Sequence, residues 1–251
     1  MAQVTDLWRH PIKGVGCERL ETVSLATAQC MPMDRHWAIA HADAKLDYET
    51  PEWARCINFA RGARGAKLMA VGAKFDAATR MVHLTHPDLE DLCVNPDDPA
   101  DASLLVDWVT RISDPRRSLP AQVYKAPNRG MTDSGTASLS IHTRASMDAL
   151  ASACGASLDQ RRFRGNIWLD GAHAWEEFDW IGKRLRVGTA EFEITKPVER
   201  CVATMVNPDT GITDRETLKA LKDTWGHQDF GVFAIVTKAG DISLGDEYEV
   251  L

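Results

Sequence analysis

Lys196-Pro197-Val198-Glu199-Arg200-Cys201-Val202-Ala203-Thr204, running on through Met205 and Val206 into Asn207-Pro208-Asp209-Thr210-Gly211, is the stretch around which the chain can be read. Residues 190–195 read as a strand that feeds into it, paired with residues 180–187 in a hairpin around Gly188. Asn207 to Gly211 has the composition of a turn. Lys196 and Arg200 flank a single cysteine, and nearby positive charge favours the thiolate, the form that acts as nucleophile and metal ligand. By its local chemistry alone Cys201 still reads as a small buried hydrophobe, the commoner fate of a free thiol.

Outward from this stretch the second section of the chain is rich in short strands: residues 138–141, 166–169, 231–237 and 248–251 join the hairpin. Residues 145–154 are a helix, with Met147, Leu150, Ala151 and Cys154 on one face and Gly155 as its stop. Thr213 and Glu216 have capping-box form ahead of a second helix carrying Leu218, Leu221 and Trp225 and ending at Gly226. In the first section residues 4–8, 19–25, 34–40, 67–73 and 81–85 read as strands, and 75–79 as a turn. Residues 101–112 place Leu104, Leu105, Trp108, Val109 and Ile112 on one helical face. Residues 113–130 hold Pro115, Pro120, Pro127 and Gly130, which predicts a long connection and a division into residues 1–113 and 114–251. Strands outnumber helices and do not alternate with them in βαβ units, so the fold class is β-rich α+β with a barrel-like body.

Composition narrows the function. The 251 residues are 44% hydrophobic and 26% charged, enough for a sizeable core without staples. A net charge of −7 argues against nucleic-acid or anionic-membrane binding by a broad face, while leaving room for a local basic pocket. Eight Trp read as core packing. None of the six cysteines forms a C-x-x-C pair, which removes zinc-ribbon and thioredoxin-like readings and suits reduced thiols in a cytoplasm. Neither a signal-peptide apolar region nor a membrane-length apolar run is expected.

G-x-G-x-x-G, Walker, H-E-x-x-H and G-x-S-x-G patterns are absent, so conventional nucleotide binding and hydrolysis find no support. His83 and His86 read as solvated strand ends. What remains is a set of basic and polar loops next to strands: Lys13-Gly14, Asp34-Arg35, residues 161–166 and residues 196–201. Closed into one body, such loops would converge on an anionic ligand, because guanidinium forks and glycine-rich backbone both suit phosphate. Arginine-rich loops are also ordinary solvated surface, and their distribution alone does not choose.

Taken together the loops resemble the MOSC family, whose members include amidoxime reducing components and N-hydroxylaminopurine reductases. The resemblance rests on Leu7-Trp8-Arg9-His10-Pro11-Ile12-Lys13-Gly14, Asp34-Arg35-His36-Trp37, Phe163-Arg164-Gly165-Asn166-Ile167, Glu199 to Thr204 with Asn207 to Gly211, and Leu244-Gly245-Asp246-Glu247-Tyr248, in that order. It implies a MOSC barrel-like fold with an N-terminal MOSC β subdomain, and a bound molybdenum–molybdopterin cofactor with the Cys201 thiolate as the protein's metal ligand. Lys13, Gly14, Arg35, Thr136, Arg164, Asn166 and Arg200 are implied as cofactor-binding residues, and Asp209 as a proton-handling catalytic partner of Cys201. The implied reaction is reduction of a small N-hydroxylated compound, with electrons from a separate ferredoxin- or flavoprotein-type donor, by a cytoplasmic protein favoured as a monomer. The alternative is a cofactor or sulfur carrier that uses Cys201 without turnover. Two departures stand out: Gly14 where the family pattern has Ser, and Asn207 where it has Asp.

Overall fold

The computed structural model describes residues 2–251. Strands β1 (Gln3–Arg9), β2 (Glu18–Leu20), β3 (Thr22–Leu25) and β4 (Ala38–His41) open the chain. They are followed by β5 (Gly72–Phe75), β6 (Val82–His86), β7 (Leu89–Val94), helix α1 (Pro99–Thr110) and β8 (Pro120–Tyr124). Then come β9 (Leu139–Thr143), α2 (Arg144–Ala153), β10 (Ile167–Asp170), the short α3 (Glu176–Asp179), β11 (Arg184–Val187) and β12 (Ala190–Glu199). Helix α4 (Thr217–Trp225) precedes β13 (Asp229–Lys238), β14 (Gly240–Ser243) and β15 (Tyr248–Val250). The protein is β-rich α+β, as its strand pattern implies.

An eight-stranded sheet in the order β15-β11-β12-β13-β9-β10-β1-β2 forms the body. Strands from both sections share it, as β1 pairs antiparallel with β10, Leu7 opposite Ile167; β8 pairs with β4 in a separate two-stranded sheet. The β9–β10 pair is parallel, and the connection between its strands carries α2. One core lies against this sheet, with Leu7, Ile141, Leu169, Phe192, Ile194 and Val232 fully buried. Along β12 the buried residues Ala190, Phe192 and Ile194 alternate with more exposed ones, the period-2 pattern of a strand with one face inward. A second core packs Leu105 and Val109 of α1 against Trp37, Ile39, Val82 and Leu84. The tryptophans Trp37, Trp168 and Trp180 are buried, in line with their expected packing role.

Several local expectations change. Residues 67–73 are not one strand: Ala66–Ala70 is a 3-10 helix and β5 starts only at Gly72. Leu68, Met69 and Ala70 are buried in succession, and an unbroken apolar run does not by itself distinguish strand from helix. The connection at 113–130 contains β8, with Pro120 at the first strand position, where no ladder N–H is needed. The capping box at Thr213 does not form, because Thr213 bridges to Val206 and the helix begins at Thr217 behind Glu216. His86 is buried rather than solvated; its Nε2–H donates to the Lys67 carbonyl at 3.2 Å and its Nδ1 accepts from Asp88 at 3.0 Å. Asp34 and Arg35 lie in a turn that precedes β4, not within a strand. Among the described residues no helix is long and apolar enough to cross a membrane.

Candidate functional site

Strand β12 delivers the central pair. It runs on to Glu199, so Lys196 to Glu199 is strand rather than loop, and Arg200 and Cys201 follow at its end. Arg200 turns inward. Its Nε donates to the Phe230 carbonyl at 2.8 Å and its Nη1 to the Phe163 carbonyl at 2.9 Å, with the guanidinium 5.7 Å from the Phe163 ring centre and 5.8 Å from that of Phe230. Burial pulls its pKa down to about 9, against the opposing pull of Cys201. Cys201 turns outward and is exposed, heading the 3-10 turn Val202–Met205. Its carbonyl accepts both the N–H and the hydroxyl of Thr204 at 3.1 Å, and the Thr204 hydroxyl meets that of Thr217 at 2.7 Å. The thiol therefore stands on a turn tied to α4.

Arg164 follows the 3-10 helix Gln160–Phe163 with φ +48°, and reaches across to the first section. Its Nη1 donates to the Gly16 carbonyl at 3.0 Å and its Nη2 to that of Ile12 at 3.4 Å. In return the Arg164 carbonyl accepts from Arg35 Nη2 at 2.9 Å. Burial, reinforced by Arg35, draws the Arg164 pKa down to about 10. Arg35 pairs with Asp34, which is 1% exposed. The other Asp34 oxygen accepts from the His10 N–H at 2.8 Å and from its ring Nδ1 at 3.1 Å. Although burial works the other way, Arg35 and His10 hold Asp34 well below the usual carboxylate range. His10 is neutral, pushed down to about 3 by burial and by Arg164 and Arg35.

Lys13 is 3% exposed, and its ammonium donates to the Met131 carbonyl at 2.7 Å and to Asp133 at 2.6 Å. Burial lowers its pKa, with Asp133 opposing. Asn166 spends its amide on the frame: Oδ1 accepts from the Ser140 N–H at 3.1 Å and Nδ2 donates to the Trp8 carbonyl at 3.2 Å. This side chain stitches β9 and the end of β1 together where β10 begins.

These residues enclose one cavity of about 670 Å³, lined by Lys13, Gly14, Arg35, Arg164, Asn166, Arg200 and Cys201. Two expected members stand apart. Thr136 is exposed and is not part of the lining; its N–H donates to Ser134 Oγ at 3.2 Å. The Asp209 carboxylate is 70% exposed and ion-paired with Arg161 at 2.7 Å, and it lines a different cleft beside Cys17 and Arg19. Asn207 is a turn residue. It accepts from the Asp209 N–H at 2.8 Å and donates from Nδ2 to Asp214 at 3.1 Å, a donation an ionised Asp at this position could not make.

Sequence reasoning missed Cys56, Arg61 and Asp133, which also line the cavity, and named Arg162 only as part of the loop 161–166. Arg162 adjoins the expected Arg164. It is 4% exposed, pairs with Asp214 at 2.7 Å, and keeps Nε and Nη1 buried without acceptors. Adjacent residues of the 3-10 turn separate, so Arg161 goes to Asp159 and Asp209 on the surface while Arg162 goes inward. Cys56 and Arg61 come from a stretch with no periodicity to single them out.

The donor set constrains what the cavity can hold. Among the described residues no three His, Cys, Asp or Glu side chains gather as a metal site, so a metal bound at Cys201 must arrive with other ligands of its own. Arg164 bonds only to carbonyls and Arg200 to carbonyls and the His142 ring, so neither has a carboxylate hydrogen-bond partner, and burial draws both below their ordinary pKa. With the orphaned nitrogens of Arg162, the cavity is built for an anionic group, and its volume is that of a cofactor or small-molecule site.

The same conclusion about descent follows from comparison with known proteins. Residues 128–249 match the MOSC domain family and residues 1–111 the MOSC N-terminal beta barrel domain. The chain belongs to the MOSC family, as its motifs imply. It is 24% identical to the mitochondrial amidoxime-reducing component 1 of Homo sapiens over 285 residues, covering 99% of the chain and 82% of that protein. It is 32% identical to the mitochondrial amidoxime reducing component 2 of Homo sapiens over 120 residues, 43% of the chain. That match spans only 35% of the relative's length. Similarity also extends to molybdenum cofactor sulfurase 1 of Aedes aegypti, 33% identical over 73 residues, 29% of the chain and 9% of that protein.

Proposed function

We propose that this chain binds the molybdenum–molybdopterin cofactor in the cavity at the end of β12 and reduces small N-hydroxylated compounds. The observation that carries the reading is the convergence of Lys13, Arg35, Arg164, Arg200 and the exposed Cys201 on one cavity in whose lining cations outnumber carboxylates. Similarity to proteins named as amidoxime reducing components supports the substrate class. Lys13, Arg35 and Arg164 would hold the phosphate and pterin, and Asn166 would keep the frame around them closed. Cys201 would be the protein's ligand to the metal. When bound, the cofactor supplies two-electron chemistry that accepts an oxygen atom from the substrate. A separate electron-transfer protein would restore the two electrons, and with two protons the oxygen would leave as water.

Protein made in a host that synthesises the cofactor is expected to carry close to one molybdenum per chain. With reduced viologen it should convert benzamidoxime to benzamidine, and Cys201→Ala should lose both the metal and the activity. Molybdenum-loaded protein that leaves amidoximes, hydroxylamines and N-hydroxylated bases unchanged sinks the reductase reading. Exposure of Cys201, together with similarity to a protein named as a molybdenum cofactor sulfurase, favours a cofactor or sulfur carrier as the second reading. Sulfane sulfur on Cys201 in protein without molybdenum identifies that case.

A further inference from the structure

The first section of the chain adds its own wall to the cavity, through Cys56, Arg61, Gly62 and Ala63. Two close approaches clamp this wall. Gly14, at φ +71°, has no side chain, and where its Cβ would stand lie Ala60 O at 2.6 Å and Arg61 Cα at 2.7 Å. On the other side, a Cβ on Gly62 would be 2.4 Å from Met69 Sδ and 3.3 Å from Ala203 Cβ. Ala203 belongs to the turn headed by Cys201. Arg61 is thus wedged between the Lys13-Gly14 turn and the Cys201 turn, and the N–H groups of Arg64 and Gly65 fix its carbonyl at 2.9 and 3.0 Å.

Its charge is left uncompensated. Lys13, Arg35 and Arg162 each have a carboxylate partner, in Asp133, Asp34 and Asp214. Among the described residues Arg61 has no carboxylate partner; Nη1 donates to Cys56 Sγ at 2.6 Å and Nε is buried without an acceptor. Sulfur is a weak acceptor, and a guanidinium in a partly desolvated wall gains most from an oxyanion. We infer that Arg61, braced by Cys56, is a further anion-binding residue of this cavity that takes a phosphate or carboxylate group. The inference rests on the molybdenum-cofactor reading only for the source of that group: the cofactor's phosphate, or an acidic substituent on the N-hydroxylated substrate.

The first measurement does not depend on the metal. Protein made in a host unable to synthesise the cofactor is titrated calorimetrically with inorganic phosphate. Loss of one charge-assisted contact in Arg61→Gln is expected to weaken phosphate binding about ten-fold, at an unchanged melting temperature. If Arg61→Gln does not fold, Arg61→Lys serves in its place, with weakening of several-fold as the expected result. Wild-type protein that takes up no phosphate, or a folded variant that binds it as tightly as wild type, overturns the assignment. Two arms on cofactor-loaded protein then identify the source. A fall in retained molybdenum and pterin in Arg61→Gln assigns the contact to the cofactor. Unchanged content, with KM raised about ten-fold for 4-carboxybenzamidoxime but not for benzamidoxime, assigns it to the substrate. Absence of molybdenum from the wild-type protein would overturn the cofactor reading and leave the phosphate result standing.

Discussion

Placing at position 14 the serine of the family pattern is expected to damage this chain rather than improve it. Gly14 sits at φ +71°, where a residue with a Cβ costs about 1–2 kcal/mol more than glycine. The added Cβ would also stand 2.6 Å from Ala60 O and 2.7 Å from Arg61 Cα. Both are backbone atoms and cannot swing away as a side-chain end would, so the Arg61 wall must shift at an overpacking cost of about 1–3 kcal/mol. Together these give a loss of about 3 kcal/mol for Gly14→Ser, a large part of a typical domain's stability. Urea unfolding followed by tryptophan fluorescence measures it: the midpoint should fall by about 1 M at an unchanged slope. Gly14→Ala should fall equally, since the Cβ and not the hydroxyl is responsible. A Gly14→Ser protein as stable as wild type would refute the steric account and reopen the idea that a hydroxyl is simply missing here.

Other outcomes follow from the same geometry. His10 is held neutral down to about pH 3 when folded but protonates near pH 6.5 when unfolded. Between those values the unfolded chain binds the extra proton, so stability is full above pH 6.5 and falls as pH drops, by up to about 1.4 kcal/mol per unit. Urea midpoints at pH 7, 6 and 5 should show this slope, and His10→Gln should flatten it; equal wild-type stability at pH 7 and pH 5 would contradict it. Asp34→Asn strands Arg35 without its counter-charge and should cost about 3–5 kcal/mol, read as a lower melting temperature. Asn207→Asp places a carboxylate where an amide now donates to Asp214, and should lose about 1 kcal/mol at pH 7. In an Asp214→Asn background, which itself loses the ion pair with Arg162, Asn207→Asp should cost little further, and an equal loss in both backgrounds would show that the 3.1 Å contact is not its cause.

The sequence by itself determined the fold class and most of the cavity's chemistry. Helix α2 and strand β13 were legible because an element with one buried face writes its period into neighbouring residues, while β9 and β10, buried along nearly their whole length, stood out only as short runs between loops. Lys13, Arg35, Arg164, Asn166, Arg200 and Cys201 were legible as motif residues, and they do line one cavity. Only the tertiary structure decided what depends on residues far apart in the chain. Strand β1 finds its place against β10, with Leu7 opposite Ile167, a pairing no local pattern encodes. Which of two adjacent arginines enters the interior was set by acceptors elsewhere, Asp209 for Arg161 and Asp214 for Arg162. Asp209 and Thr136 left the cavity, and Cys56 and Arg61 joined it, for the same reason. The opening stretch shows the division most plainly. Its strand, its turn and its flanking cations are local features. That Arg200 is half-buried against Phe230 while Cys201 faces outward on a turn tied to Thr217 follows from packing between β12, β13 and α4.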